Sequence, residues 1–307
     1  MATGEKTKPS AMVQGYAAAS AADSTRRSYA QSMRHFQAWG GKVPATAGMV
    51  AEYIASCGGS LKTSTIAHRL AAINRAHQDR GFESPVKAPL VKRTMEGIRR
   101  SCGVPPRRVR ALGKSDLVEI LVSVAKQKPL KAARDKAILL LGWAAALRRS
   151  ELVALTVEDI VTYDTGCDLL IRRSKTDQRG AGQMVFVPIA KSKERCPIIA
   201  LQAWLEMAEI TSGPLFRQVS RHDYLVGERG LTGQAIAQVV QAAVRTARGP
   251  EAAAECAAHS LRAGFVTEAA SVGVPVNEIM NTTRHTSVAT LYVYIRPVEK
   301  RRAQSLL

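Results

Sequence analysis

The stretch that most restricts this chain is Gly-Val-Pro-Pro-Arg-Arg-Val-Arg-Ala-Leu-Gly, residues 103–113. Its paired prolines block a continuous helix, and its closely spaced arginines repel one another. An extended linker is expected there, so the chain divides into a piece before it and a piece after it. With 307 residues and a hydrophobic fraction of 46%, both pieces have the length and apolar content for a core of their own. We read residues 1–20 as an N-terminal arm, 21–102 as a helical domain, 103–113 as the linker and 114–307 as a second domain.

Before the linker the text is helical. DSTRRSYAQSMRHFQAWG offers Asp23 or Ser24 as a cap, spaces Tyr29, Met33, Phe36 and Trp39 as a helix does, and stops at Gly40-Gly41. TAGMVAEYIASCGG predicts a second helix. KTSTIAHRLAAINRAHQDRG predicts a third, with Ile66, Leu70 and Ile73 on one face and Arg69, Arg75 and His77 elsewhere. SPVKAPLVKRTMEGIRRSC predicts the fourth. After the linker a helix capped at Ser115 is followed by AILLLGWAAAL, residues 137–147, which is about half a membrane span and is bracketed by Lys136 and Arg148. It reads as a buried helix, and RRSELVAL as a short one behind it.

The period then changes. VEDIVTYD, CDLLIRRS and QMVFVPI alternate or are rich in β-branched residues, predicting a small antiparallel sheet with SKTDQRGAG as the loop joining its last two strands. PIIALQAWLEMAEI, GLTGQAIAQVVQAAVRTAR, AHSLRAGFVTEAASVG and VPVNEIMNTTRH return to helix. The fold class is therefore mainly α with a small antiparallel β-sheet.

Charge points to the partner. The net charge is +19, divided as +12 over residues 1–112 (18 Lys and Arg against 6 Asp and Glu) and +7 over residues 113–307 (26 against 19). A surplus that large implies a polyanion, most commonly nucleic acid, with the first third gripping phosphate. A basic linker between basic domains could close a ring around a duplex. The five cysteines stand singly, without CxxC or nearby histidine, which argues against a zinc site or a disulfide framework and fits a reducing interior. MATGEKTKPS has no apolar stretch, so no signal peptide or membrane partner is expected. GGSLKTS lacks the glycine spacing of a phosphate-binding loop, so ATP-driven chemistry is not expected.

Two tyrosines near the end pose the chemical question. In TRHTSVATLYVYIRP, Val288, Leu291, Tyr292 and Ile295 fall on one helical stripe, which makes Tyr292 a packing residue. Tyr294 lies on the flank, free to meet something polar. Cations and imidazoles recur elsewhere. His259 and Arg262 stand one turn apart in HSLR, His285 ends TRH, ALRRSE supplies Arg148 and Arg149, and the strand loop supplies Lys175.

In type, order and spacing these elements resemble the signature of the tyrosine site-specific recombinases, or phage integrase family. That signature is an arginine in a Gly-Leu-Arg-x-x-Glu-like box, a hairpin lysine, His-x-x-Arg, then His or Trp, and a tyrosine nine residues later. Here it reads Ala146-Leu147-Arg148-Arg149-Ser150-Glu151, Lys175, His259-Ser260-Leu261-Arg262, His285 and Tyr294. The resemblance spans about residues 20–307 and chooses Arg148 over Arg149. The layout is similar to the compact Cre- and Xer-like members, implying a SAM-like N-terminal helical bundle and an α+β catalytic domain. It also implies catalytic roles for Tyr294, Arg148, Arg262, His259, Lys175, His285 and Glu151, the last orienting His259 or Arg148.

No cofactor and no metal are implied. The implied partners are double-stranded DNA at specific sites, a homotetramer on two such sites and an accessory directionality factor, in a cytoplasmic, nucleoid-associated setting. DNA contacts are expected from Arg69, Arg75, Arg99, Arg100, Arg107, Arg108 and Arg110. Two departures stand out: Ala146 replaces the usual glycine of the box, and Arg284 the usual glycine before His285, where its charge is expected to affect DNA contact or regulation. The residue set is shared with type IB topoisomerase-like nicking-closing enzymes, and a non-catalytic DNA-binding regulator could keep the fold; both stand as alternatives.

Overall fold

Apolar residues at every third or fourth place produce the helices before the linker. The computed structural model puts them at α1 (Asp23–Ala38), α2 (Ala47–Ser56), α3 (Thr63–Gln78) and α4 (Pro89–Cys102). The structure describes residues 10–12, 15, 16, 20, 22–104, 109–172 and 182–302, with residues 296–302 as backbone alone. Most of the expected arm, together with Arg107, Arg108 and Lys175, lies outside the described residues. The chain forms two compact units, Met1–Arg107 and Arg108–Leu307.

The first unit is held by Phe36, Val50, Tyr53, Ile54, Ile66, Leu70, Ile73, Val91, Met95 and Ile98. α1 begins at Asp23 behind Ala22 without a side-chain cap, so neither Asp23 nor Ser24 has the expected capping role. His77 also differs from expectation. It continues the Ile66, Leu70, Ile73 stripe by one more turn and is fully buried. Its Nδ1 lies 2.8 Å from the Ile73 carbonyl and its Nε2 accepts from the Ala45 N–H at 2.8 Å, so the ring satisfies both backbone groups.

The second unit contains α5 (Lys114–Val124), α6 (Pro129–Ala144), α7 (Arg149–Ala154), β1 (Ile160–Tyr163), β2 (Gly166–Ile171), β3 (Gln183–Pro188), α8 (Pro197–Met207), β4 (Arg217–Val219) and β5 (Leu225–Gly230). α9 (Gly233–Ala254), α10 (His259–Ser271), α11 (Val276–Thr283) and α12 (Val288–Arg302) complete it. Part of the stretch read as linker is built into this unit. The Arg110 N–H donates to the Glu255 carbonyl at 2.9 Å and the Leu112 N–H to the Ser260 carbonyl at 3.1 Å. The cap of α5 is Asp116, which accepts from the Gly113 N–H at 2.8 Å, rather than Ser115.

β1, β2 and β3 form the expected antiparallel sheet, with Ile160 opposite Leu169 and Cys167 opposite Val187. Cys167, Leu169, Ile171, Val185 and Val187 face the core, as the alternation requires. Val157–Asp159 is a 3₁₀ turn rather than the start of a strand, and β4–β5 is a second antiparallel pair that the sequence did not reveal. Residues 137–142 of α6 are apolar all round because they are buried all round: Ile138 and Leu141 join the cluster beneath the sheet, Leu139 and Leu140 the one shared with α5 and α9. Its two ends therefore have fixed positions, and the C-terminal end leads into the site.

Candidate active site

Three chain turns and one helix build the site beside the C-terminal end of α6. The first is the ALRRSE turn. Ala146 ends α6 in the left-handed conformation at φ 47°. The Ala146 N–H donates to the Trp143 carbonyl and the Leu147 N–H to the Gly142 carbonyl, both at 3.1 Å, the paired closing bonds of a Schellman motif. A glycine is the residue least strained there, which accounts physically for its usual presence in the box. The reversal makes Arg148 the residue preceding α7 and turns its side chain inward, while Arg149 is exposed and lies against Gly233. Glu151, in the first turn of α7 and 1% exposed, accepts from the Arg148 backbone N–H at 2.8 Å and from Arg148 Nη1 at 2.6 Å.

The second turn opens α10. His259 stands at its first position and Arg262 one turn on, buried at 1% exposure. Arg262 Nη1 donates to the Ala146 carbonyl at 2.7 Å, and Nη2 donates to the Thr283 carbonyl. The third turn ends α11, where Arg284 is also left-handed, at φ 56° and ψ 42°. Arg284, whose charge is expected to affect DNA contact or regulation, is 6% exposed and points into the protein beside the site. Its Nη2 donates to Glu151 Oε2 at 2.7 Å and its Nη1 to the Thr282 carbonyl at 2.8 Å. Glu151 thus joins Arg148 to Arg284 and, among the described hydrogen bonds, does not hold His259.

The fourth element is α12. Leu291 and Ile295 pack against Val266, Ala270 and Ile279. Tyr292 is half-buried rather than fully enclosed, and Val288 is exposed, so the apolar stripe is narrower than its spacing predicts. Tyr294, also half-buried, puts its hydroxyl 2.6 Å from His259 Nε2 within one protomer. His285 Nδ1 lies 2.8 Å from Thr283 Oγ1, and that hydroxyl is 2.7 Å from the Ile279 carbonyl. Thr283 went unnoticed in the sequence, because nothing in Thr-Arg-His tells which side chain will face the imidazole.

The electrostatics follow from three guanidiniums around one carboxylate. Burial pushes the Glu151 carboxyl up, but the Arg284 charge and the Arg148 hydrogen bonds outweigh it and hold the group below the usual carboxylate range. Burial, then Arg148 and Arg284, lowers Arg262 to about 9, still a cation at neutral pH. Burial, then Arg262 and Arg148, lowers His259 below an ordinary imidazole, and the same causes bring His285 to about 4. Both rings are neutral at pH 7. The arrangement provides a hydroxyl beside a neutral base and, next to it, a concentration of fixed positive charge.

The described members of the expected DNA-contacting set, Arg69, Arg75, Arg99, Arg100 and Arg110, have protein partners of their own. Arg69 is half-buried and donates to His35 at 3.0 Å, Arg75 pairs with Asp79 at 2.7 Å, and Arg99 and Arg100 pair with Glu96 at 3.4 and 3.7 Å. Arg110 pairs with Asp116 at 3.5 Å. Among the described residues no group of three or more His, Cys, Asp and Glu is arranged to hold a metal ion, and no helix is long and apolar enough to cross a membrane.

Residues 112–301 match the phage integrase family. The chain is 34% identical over 288 residues to the integrase/recombinase xerD homolog of Selenomonas ruminantium, covering 90% of this chain and 82% of that one. It is 23% identical over 253 residues to the recombinase cre of Escherichia phage P1, covering 78% and 72% of the two chains. A similar fold occurs in a lambda integrase dimer bound to a COC′ core site, with TM-score 0.60 at 13% identity over 94% of this chain and 75% of that one. The chain belongs to the phage integrase family, the tyrosine site-specific recombinases.

Proposed function

We propose that this enzyme cuts and rejoins DNA at specific sites by attack of Tyr294 on a phosphodiester. The observation that carries the reading is the 2.6 Å contact between the Tyr294 hydroxyl and His259 Nε2, beside Arg148 and Arg262. His259, neutral at pH 7, takes the phenolic proton as the Tyr294 oxygen bonds to phosphorus. The bond from phosphorus to the 5′-oxygen breaks, and Lys175 gives that oxygen a proton. Arg148 and Arg262 balance the charge that grows on the non-bridging oxygens. Arg262 spends two of its five donors on backbone carbonyls, and DNA binding must open its pocket to bring phosphate to the others. His285 donates to the phosphate when Thr283 turns its hydroxyl toward Nδ1 and leaves the proton on Nε2.

The products are a 3′-phosphotyrosine ester and a free 5′-hydroxyl. The ester conserves the energy of the broken bond, so a 5′-hydroxyl from a partner strand reverses the step with no ATP or metal. Exchange between two duplex sites then proceeds through a Holliday junction held by a homotetramer, with an accessory factor setting direction, in the nucleoid. The DNA-bound state of the similar lambda integrase fold supports duplex DNA as the partner. Family membership favours this over a nicking-closing enzyme or a silent regulator. Tyr294→Phe is expected to abolish the covalent adduct on a suicide duplex while leaving binding intact, and Tyr292→Phe to retain the adduct. The reverse pattern would assign the chemistry to the other hydroxyl, and relaxation of plasmid lacking any site would favour the topoisomerase alternative.

A further inference from the structure

Arg284 makes an unusual set of interactions for a residue at a helix end. It adopts a left-handed backbone that a glycine would take without strain, and it buries a guanidinium whose Nε has no partner among the described residues. Both features cost stability, so the reason for an arginine here lies in the bonds it makes. The side chain grips Glu151 Oε2 at 2.7 Å. It also reaches the carbonyls of Ala145 at 3.4 Å and Ala146 at 3.5 Å, on the turn that carries Arg148. The backbone contributes too, because the left-handed conformation aims the Arg284 carbonyl at Arg148 Nη2, 3.2 Å away. One residue therefore connects the turn before His285 to the turn before α7.

The charge count leads the same way. Arg148 and Glu151 alone would form a neutral pair, and a neutral pair offers a phosphate little. With Arg284 on the second carboxylate oxygen the trio carries one net positive charge, and with Arg262 the pocket carries two. A phosphodiester anion joined by a tyrosine oxyanion carries two negative charges at the pentacoordinate stage, which this charge meets together with the proton that His259 has taken up. We propose that Arg284 is a positioning residue for strand cleavage: its side chain holds Glu151 and its carbonyl holds Arg148, so that the Arg148 guanidinium meets the scissile phosphate in one orientation with its charge uncancelled. This rests on the reading of Tyr294 as nucleophile.

The test uses the full chain and a nicked suicide duplex built on the site that the chain itself selects from a random-sequence pool. Single-turnover adduct formation, gel-shift affinity and thermal midpoint are measured for wild type, Arg284→Gly, Arg284→Lys, Glu151→Gln and the Glu151→Gln/Arg284→Gly double variant. Arg284→Gly is expected to bind within about twofold of wild type but to cleave about tenfold to a hundredfold slower, the size of loss that follows a displacement of about 1 Å at a reacting group. Arg284→Lys keeps a charge on Glu151 without the fork and is expected to cleave at a rate between those of wild type and Arg284→Gly. The double variant is expected to be no slower than the slower single variant, since both act through Arg148.

A pH profile separates positioning from packing. Glu151 is faced by Arg148, Arg284 and the nearby Arg262; Asp159 and Arg172, paired with each other, line the small cavity on its other side. With Arg284 gone the carboxyl takes up a proton at higher pH. The neutral acid returns net charge to Arg148 but gives up the charge-assisted grip that orients it. Because orientation is the role proposed, Arg284→Gly is expected to lose rate more steeply than wild type between about pH 7 and pH 5, and the double variant to lose that extra steepness. A wild-type rate in Arg284→Gly, or a slower rate with an unchanged pH profile, would overturn the proposal. If Arg284→Gly does not fold, Arg284→Lys decides: wild-type rate and profile overturn the proposal, and a slower, more acid-sensitive rate supports it. Adduct formation by Tyr294→Phe would instead overturn the reading of the nucleophile, whatever the Arg284 variants do.

Discussion

A tyrosine hydroxyl holds its proton up to about pH 10, so its use at neutral pH depends on a neighbour able to accept that proton. His259 can do so only while neutral. Burial, then the charges of Arg262 and Arg148, favours that neutral form. The cleavage rate is therefore expected to stay level as the pH falls through about 6.5, the value of a free imidazole, and to drop only below it. A stopped-time pH profile on the suicide duplex checks this, and an acid limb centred above about 6.5 would contradict it. Stability has the same sign. The folded-state values of His259 and His285 are lowered, so the unfolded chain takes up protons first, and stability declines as the pH drops from about 6.5 towards the value of about 4 for His285. The identities of these side chains were legible from residue type and spacing. That Glu151 would be shared between Arg148 and Arg284 was not, because Glu151 and Arg284 lie 133 positions apart in the chain.

At the level of elements, the end of α6 offers a quantitative test. Left-handed backbone at Ala146 costs about 1–2 kcal/mol relative to glycine, more than the about 0.8 kcal/mol a buried methyl contributes. Ala146→Gly is accordingly expected to raise stability by roughly 0.5 kcal/mol in urea denaturation. A fall would mean that the Ala146 methyl, fully buried, packs better than that balance allows. Periodicity revealed the long helices and the three-stranded sheet because each buries one face, or every face, over enough residues to repeat the signal. β4 failed that test, being three residues long. His77 was misplaced because its type outweighed its position, one turn beyond Ile73 on the buried stripe. The capping assignments at Ser24 and Ser115 failed for a related reason: several residues within a turn of a helix start can cap, and the local chain path selects among them.

Over the whole molecule, charge governs how the protein meets DNA. If phosphate contacts number about 6–10, binding is expected to weaken by about 10³ to 10⁵ between 50 and 200 mM salt. Fluorescence anisotropy across that range checks it, and a salt-independent affinity would remove the basic surface as the source of binding. We propose that Arg99 and Arg100, exposed on α4, are among the contributors, since their pairs with Glu96 are solvent-screened and weak. What the sequence determined by itself was the kind of chain: two units, helices around a small sheet, a polyanion as partner, and a reagent set in family order. Those properties follow from composition and short-range spacing, which the chain carries before it folds. Tertiary structure alone decided that Tyr294 reaches His259 of its own chain and that Arg284 faces Glu151 instead of solvent. The physical reason is that two reversals of backbone direction, at Ala146 and Arg284, aim carbonyls and side chains across the fold, and spacing along the chain does not encode that aim.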